Sequence, residues 1–197
     1  MKRLLTTVAI LGAIGVAAPG LADSIPDQDQ DVQDMLVFMR QEEKLARDVY
    51  LYLDGLYGGN QPGAKIFARI AESEQRHTDA VAELLTIYGI VDEVADAAIG
   101  EFADPVLQEL YDTLIVVGSA GLTEALGVGV LIERKDMTDI VEAIEVSLDY
   151  VDIVQVYTNL LAGSEHHLDA FLKVLDTSAD SSAAAMSATP GGGRKGP

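Results

Sequence analysis

The sequence contains no cysteine. Thiolate zinc sites, iron–sulfur clusters and thiol catalysis are therefore excluded. A disulfide framework is excluded too, and at 197 residues a hydrophobic core can be sufficient without one. Positive charge is scarce: 13 Lys and Arg stand against 32 Asp and Glu, for a net charge of −19. Nucleic acid is not expected as a partner, because its affinity comes from neutralising phosphates. The acidic surplus suits solubility and the attraction of cations, and a solvated acidic surface is equally consistent with it. Histidines number three, His77, His166 and His167. Any metal must be held by these and by carboxylates. Beyond the N-terminus no apolar run approaches the ~20 residues of a membrane span. No alternating strand pattern and no short-period repeat occur.

What is present begins with a secretory pattern. Lys2 and Arg3 form a charged start, Leu4 to Ala18 is apolar or small, and Gly20-Leu21-Ala22 offers small residues for cleavage. Residues 1–22 are read as a signal peptide, and the mature protein as exported, periplasmic or extracellular, and soluble; an uncleaved N-terminal anchor is the alternative. Cleavage removes two cations and no acid, leaving a still more acidic chain. Residues 23–30 are a polar, flexible lead-in. The tail, 176–197, is Ser/Ala-rich and ends Pro-Gly-Gly-Gly-Arg-Lys-Gly-Pro. It has too little apolar content to pack and is expected to be disordered.

Between these, residues 31–175 read as one all-α domain. Four long helices are expected over Asp31–Leu53, Lys65–Tyr88, Ser119–Glu145 and Leu148–Leu175, with a shorter helix, Pro105–Val117, in a long crossover. Proline at its first position is a favoured start. Tyr57-Gly58-Gly59-Asn60-Gln61-Pro62-Gly63 is a turn-rich break, and Gly89 closes the second helix. Gly127 and Gly129 suggest close helix contact or a kink.

Each long helix carries an apolar stripe at three- and four-residue steps, and each stripe is interrupted by a polar residue. The second reads Phe67, Ile70, Glu74, His77, Val81, Leu84, Tyr88. The third reads Leu122, Leu126, Val130, Glu133, Met137, Ile140, Ile144. The fourth reads Tyr150, Ile153, Tyr157, Leu160, Ser164, His167, Phe171. In the first, Glu43 falls in the gap of one stripe and Glu42 lies on the adjacent one; periodicity does not choose between them, and either could pair with Arg40, Lys44 or Arg47 on a solvated face. Glu74 and His77, three apart, share a helix face at about 5–6 Å between Cβ atoms. Burying one unpaired carboxylate costs several kcal/mol, so several inward acids need compensation, which metal ions supply.

The segments Glu42-Glu43-Lys44-Leu45-Ala46-Arg47-Asp48-Val49-Tyr50, Ile70-Ala71-Glu72-Ser73-Glu74-Gln75-Arg76-His77 and Leu160-Leu161-Ala162-Gly163-Ser164-Glu165-His166-His167-Leu168 resemble the uncharacterised domain-of-unknown-function 2202 family. More broadly, Glu43-x-x-Ala46-Arg47-x-x-Tyr50 followed by Glu74-x-x-His77 resembles the ferritin and rubrerythrin pattern. The resemblance implies a ferritin-like four-helix bundle with two divalent metal ions, iron first, with manganese or zinc as alternatives. Carried over residue by residue, the ligands are Glu43, Glu74, His77, Glu133 and His167.

The departure lies in the last helix. Ser164 stands where the family pattern has a Glu, and Glu165 is about 200° around the helix from His167. Asp136, one turn after Glu133, is expected to supply the missing carboxylate; if it points away, the second site is weak or a single ion binds. Glu74 and Glu133 are expected to bridge. Tyr50 and Tyr157 share the ligand stripes and could hydrogen-bond to ligating groups. The implied activity is Fe²⁺ oxidation or chemistry with O₂ or peroxide. A self-contained peroxidase with a cysteine-ligated relay domain is excluded. Metal sequestration without turnover, or a purely structural bundle, are the alternatives. Exposed apolar residues Val116, Val117 and Leu131 suggest a homodimer.

Overall fold

The structure, a computed structural model, describes residues 29–59, 61 and 63–187, with side chains up to residue 177. Residues 1–22, expected to be a signal peptide, most of the expected lead-in and the end of the expected tail lie outside the described residues. Five helices follow in order: α1 (Gln30–Tyr57), α2 (Lys65–Tyr88), α3 (Pro105–Gly118), α4 (Leu122–Val146) and α5 (Val151–Ser187). No strand occurs among the described residues, and no helix there is long and apolar enough to cross a membrane.

Local chemistry accounts for the helix ends. Gly89 takes a left-handed conformation (φ 69°), so its N–H reaches Thr86 O at 3.3 Å and the Ile90 N–H reaches Leu85 O at 2.8 Å. This paired closure satisfies carbonyls that the helix end would leave bare. Asp104 caps α3, accepting from the Val106 N–H at 2.7 Å, with Pro105 behind it. Two helices outrun the sequence reading. α1 passes through Gly55 to Tyr57; glycine costs a helix about 1 kcal/mol, and the buried Tyr57, whose hydroxyl donates to Gly118 O at 2.8 Å, offsets it. α5 continues past Leu175 to Ser187, as alanines favour helix and no Pro or Gly intervenes before Pro190.

α1 packs along α2, and α4 along α5. The two pairs meet through α1 with α4 and α2 with α5, while α3 lies against α1 and α4. The interior has two apolar ends. One gathers Val49, Tyr50, Leu53, Phe67, Leu126 and Phe171; the other gathers Leu36, Met39, Val81, Leu85, Ile140 and Tyr157. Fully burying such side chains stabilises by about 1.5–3 kcal/mol each. At the first end Gly129 lets α4 approach: a Cβ there would lie 2.6 Å from the Phe171 ring, whereas Gly127 faces open space. Between the ends, every long helix contributes buried polar residues, which form a belt across the core.

The connection between α2 and α4 is fastened to α1 by buried polar groups. Lys44 Nζ pairs with Asp48 Oδ2 at 2.6 Å and donates to Ala98 O and Glu101 O. Gly100 N–H donates to the same Asp48 oxygen at 2.9 Å. Gln41 Oε1 accepts from the Ala103 and Asp104 N–H groups, and Arg40 Nε pairs with Asp92 Oδ2 at 2.8 Å. Arg40 and Lys44 therefore serve this strap rather than a solvated acidic face, while Arg47 pairs with Asp48 and donates to Gln75 of α2. They also explain why Arg40 through Ala46 are all buried. Such a pair holds only while its remaining donors and acceptors are satisfied, as the backbone groups of 98–101 do here.

Candidate metal centre

The belt draws Glu43 from α1, Glu74 and His77 from α2, Glu133 and Asp136 from α4, and Ser164 and His167 from α5, all buried. Spacings of three residues stack each pair on one helix face. His77 Nδ1 lies 2.9 Å from Glu74 Oε2 and 3.3 Å from Glu43 Oε2. His167 Nδ1 lies 2.7 Å from Glu74 Oε1 and 3.4 Å from Glu133 Oε2. The two imidazoles stack with centroids 5.4 Å apart. Two overlapping groups result, Glu43–Glu74–His77 and Glu74–Glu133–His167, each with its ligand atoms within 4.8 Å of one another. Glu74 belongs to both.

These atoms are close but not aligned as hydrogen bonds. Both oxygens of Glu43, both of Glu74, and Nδ1 of His77 and of His167 are buried with no hydrogen-bond partner. Burying so many unpaired donors and acceptors is costly. The cost shows in their titration. Burial pushes Glu43 up to about 8, against the pull of His77. Burial likewise pushes Glu133 to about 7. Asp136 is raised well above the ordinary range by burial and then by Glu43, Glu42 and Glu74. Glu74 goes the other way: burial raises it, but His167 and His77 together outweigh burial and hold it at about 2. Burial lowers the imidazoles, and the carboxylates around them more than reverse this, leaving His77 at about 10 and His167 at about 9. The cluster thus stores protons at positions suited to cations.

Asp136 lies outside both groups. Its Oδ2 accepts from the Ser164 hydroxyl at 2.5 Å, and its Oδ1 is buried without a partner. Ser164 therefore supports Asp136. Glu42 stands apart from the centre, paired with Lys135 at 2.7 Å, so Glu43 is the residue of the two that joins a group. Glu165 and His166 are exposed. Tyr50 donates to Glu133 Oε1 at 2.6 Å, orienting that carboxylate. The Tyr157 hydroxyl is buried with no partner.

Gly163 is a residue that helical periodicity overlooks. A Cβ there would lie 2.5 Å from His77 Nε2, so the absence of a side chain makes room for the imidazole. A glycine-to-alanine change inside a helix ordinarily stabilises by about 1 kcal/mol, but here the clash outweighs it. Gly163→Ala is expected to displace His77 and weaken metal binding by about 10–100-fold, the usual scale for disturbing a ligand's support. Calorimetric titration with Mn²⁺ measures this; unchanged affinity would mean that His77 can yield without loss.

An all-helical protein with a buried carboxylate–imidazole belt across its core is the class these features define. The chain belongs to the uncharacterized protein domain family DUF2202, whose family model matches residues 32–188. It is 43% identical over 155 residues to the uncharacterized protein MJ0754 of Methanocaldococcus jannaschii, covering 78% of this chain and 80% of that protein. The crystal structure of the hypothetical protein MJ0754 superposes with a TM-score of 0.73 at 40% identity, over 83% of this chain and 87% of that one.

Proposed function

We propose that α1, α2, α4 and α5 form a ferritin-like four-helix bundle whose belt holds two divalent metal ions, iron first among them. The observation that carries this reading is the shared Glu74, one oxygen turned to His77 and the other to His167, amid buried donors that lack hydrogen-bond partners. The donor set fits. Two dications balance up to four carboxylates, and oxygen and imidazole ligands suit iron, manganese or zinc. Glu43, Glu74 and His77 would hold one ion; Glu74, Glu133 and His167 would hold the other. Asp136 Oδ1 is the remaining buried donor. When bound, such a pair supplies two-electron exchange with O₂ or peroxide, including Fe²⁺ oxidation. Tyr50 fixes Glu133, Ser164 fixes Asp136, and the rings of Phe67 and Phe171 pack at the Tyr50 end.

Metal analysis of protein purified without chelator tests the reading. About two equivalents of iron or manganese per chain are expected, two dications being what four carboxylates balance, together with O₂ consumption on Fe²⁺ addition. Binding without any Fe²⁺ oxidation would favour sequestration. No metal, and no change in melting temperature on adding it, would leave a structural bundle.

A further inference from the structure

The metal-centre reading leaves open how a cation reaches a buried belt. On α1's strap side, residues 92–104 cover the helix. Between α1 and α4 the surface instead opens into a groove. Its lining includes Asp31, Asp34, Asp139 and Glu142, with Met35 and Phe38 beside them. Asp139, part of this lining, meets Lys135 Nζ in an ion pair. The same Nζ reaches inward to Glu42 Oε1 at 2.7 Å and lies 5.3 Å from the Phe38 ring centroid.

Glu42 is linked to the lining residue Asp139 through Lys135 Nζ and points to a ligand independently of the surface acids. Its side chain is 5% exposed, against 43% for Lys135. One of its oxygens takes the lysine, while Oε2 is buried with no partner. A single ammonium therefore leaves half of this carboxylate unserved. Inward of Glu42 the acids continue: the charges that act on Asp136 are those of Glu43, Glu42 and Glu74. Asp139, in the groove lining, and Glu42, next to the belt's Glu43 on α1, are thus joined through Lys135 Nζ.

We propose that divalent cations enter between α1 and α4, pausing at a transient site made by Glu42 and Asp139, and that Lys135 is the plug of this entrance. This proposal rests on the metal-centre reading. Lysine suits the role: it is a compact, hydrated charge on a flexible stem, and here the stem is partly in water. With two carboxylates and a competing ammonium, the outer site binds weakly. The belt offers more carboxylates and two imidazoles, so the cation moves inward. The groove's outer acids concentrate cations at its mouth, an effect worth about 10-fold or more in rate and sensitive to salt.

The test uses the full chain freed of metal, mixed with Co²⁺ in a stopped-flow instrument, with loading followed by visible absorbance and final stoichiometry by elemental analysis. Lys135→Met is expected to load about tenfold faster, and the exposed-lip variant Asp34→Asn/Glu142→Gln about tenfold slower at low salt. Both should bind as many ions as the parent. Lys65→Met, an exposed cation on another helix, should keep the parental rate. Equal rates in all four proteins would overturn the entrance, as would an equal acceleration by Lys65→Met, which would mark a general charge effect. Fewer ions in Lys135→Met would make Lys135 part of the centre rather than its plug. A parent chain that takes up no Co²⁺ at all would fail the centre itself, and the entrance with it.

Discussion

Glu74→Gln is expected to remove both metal ions together, whereas Glu43→Gln and Glu133→Gln each leave one. Glu74 turns its two oxygens to different imidazoles, at 2.9 Å and 2.7 Å, so each ion would lose a ligand at once. Glu43 and Glu133 serve one group each. Disturbing a supporting residue already weakens metal binding about 10–100-fold; loss of a shared ligand should exceed about 100-fold at both positions. The amide is the informative replacement. Both replacements remove the charge, but the amide keeps the side-chain volume and one acceptor oxygen, whereas alanine leaves both imidazoles facing a void, so lost binding could then reflect lost folding. Elemental analysis and calorimetric titration measure the stoichiometry, with circular dichroism as the check on fold. If Glu74→Gln retains one tightly held ion, the two groups do not share it.

Metal-free protein should be most stable in mild acid, and added metal should invert that order. Glu43 titrates near 8 in the fold against 4.5 ordinarily, and Glu133 near 7. Between the ordinary and folded values the native state holds protons that the unfolded chain has released, so stability falls as pH rises. His77 and His167, at about 10 and 9 against 6.5, carry the same fall on through neutral pH. Glu74 at about 2 acts in the opposite sense, losing its contribution only as pH drops below 4.5. The metal-free optimum therefore lies near pH 4.5.

Metal competes for the protonated ligands, so its binding strengthens with pH. At ligand concentrations about a thousand times Kd it adds about 4 kcal/mol, or roughly 8–16 °C in Tm for a chain of this size. Melting curves at pH 5 and pH 8, with chelator and with Mn²⁺, should show that rise at pH 8 and little at pH 5. A metal-induced shift independent of pH would mean the belt does not exchange protons for metal.

Much of this was legible in the residues, for identifiable reasons. α2 was readable to its ends because its stripe is regular and Gly89 supplies a left-handed stop. The belt was readable because acids and histidines interrupt apolar stripes, and interruption is costly without compensation. Periodicity could not separate Glu42 from Glu43, since the strap and α4 bury both sides of α1. The strap itself depends on hydrogen bonds between residues 52 to 63 positions apart, which leave no local pattern. Ser164 looked like a missing ligand because only the packing of α4 on α5 reveals Asp136 as its partner. Gly163 carried no periodic signal. The last turns of α5 carry no apolar stripe, and alanine propensity rather than burial extends the helix there.

The division of the belt among helices sets an order of assembly. α1 and α2 between them own a complete group, Glu43, Glu74 and His77. α4 and α5 own Glu133 and His167 and must borrow Glu74. A chain made from its N-terminus therefore finishes its first ligand group before α4 exists, and an ion seated there would already hold α1 to α2. The second half docks onto a carboxylate with one oxygen committed. An ion in the first group would then be a template on which the later helices close.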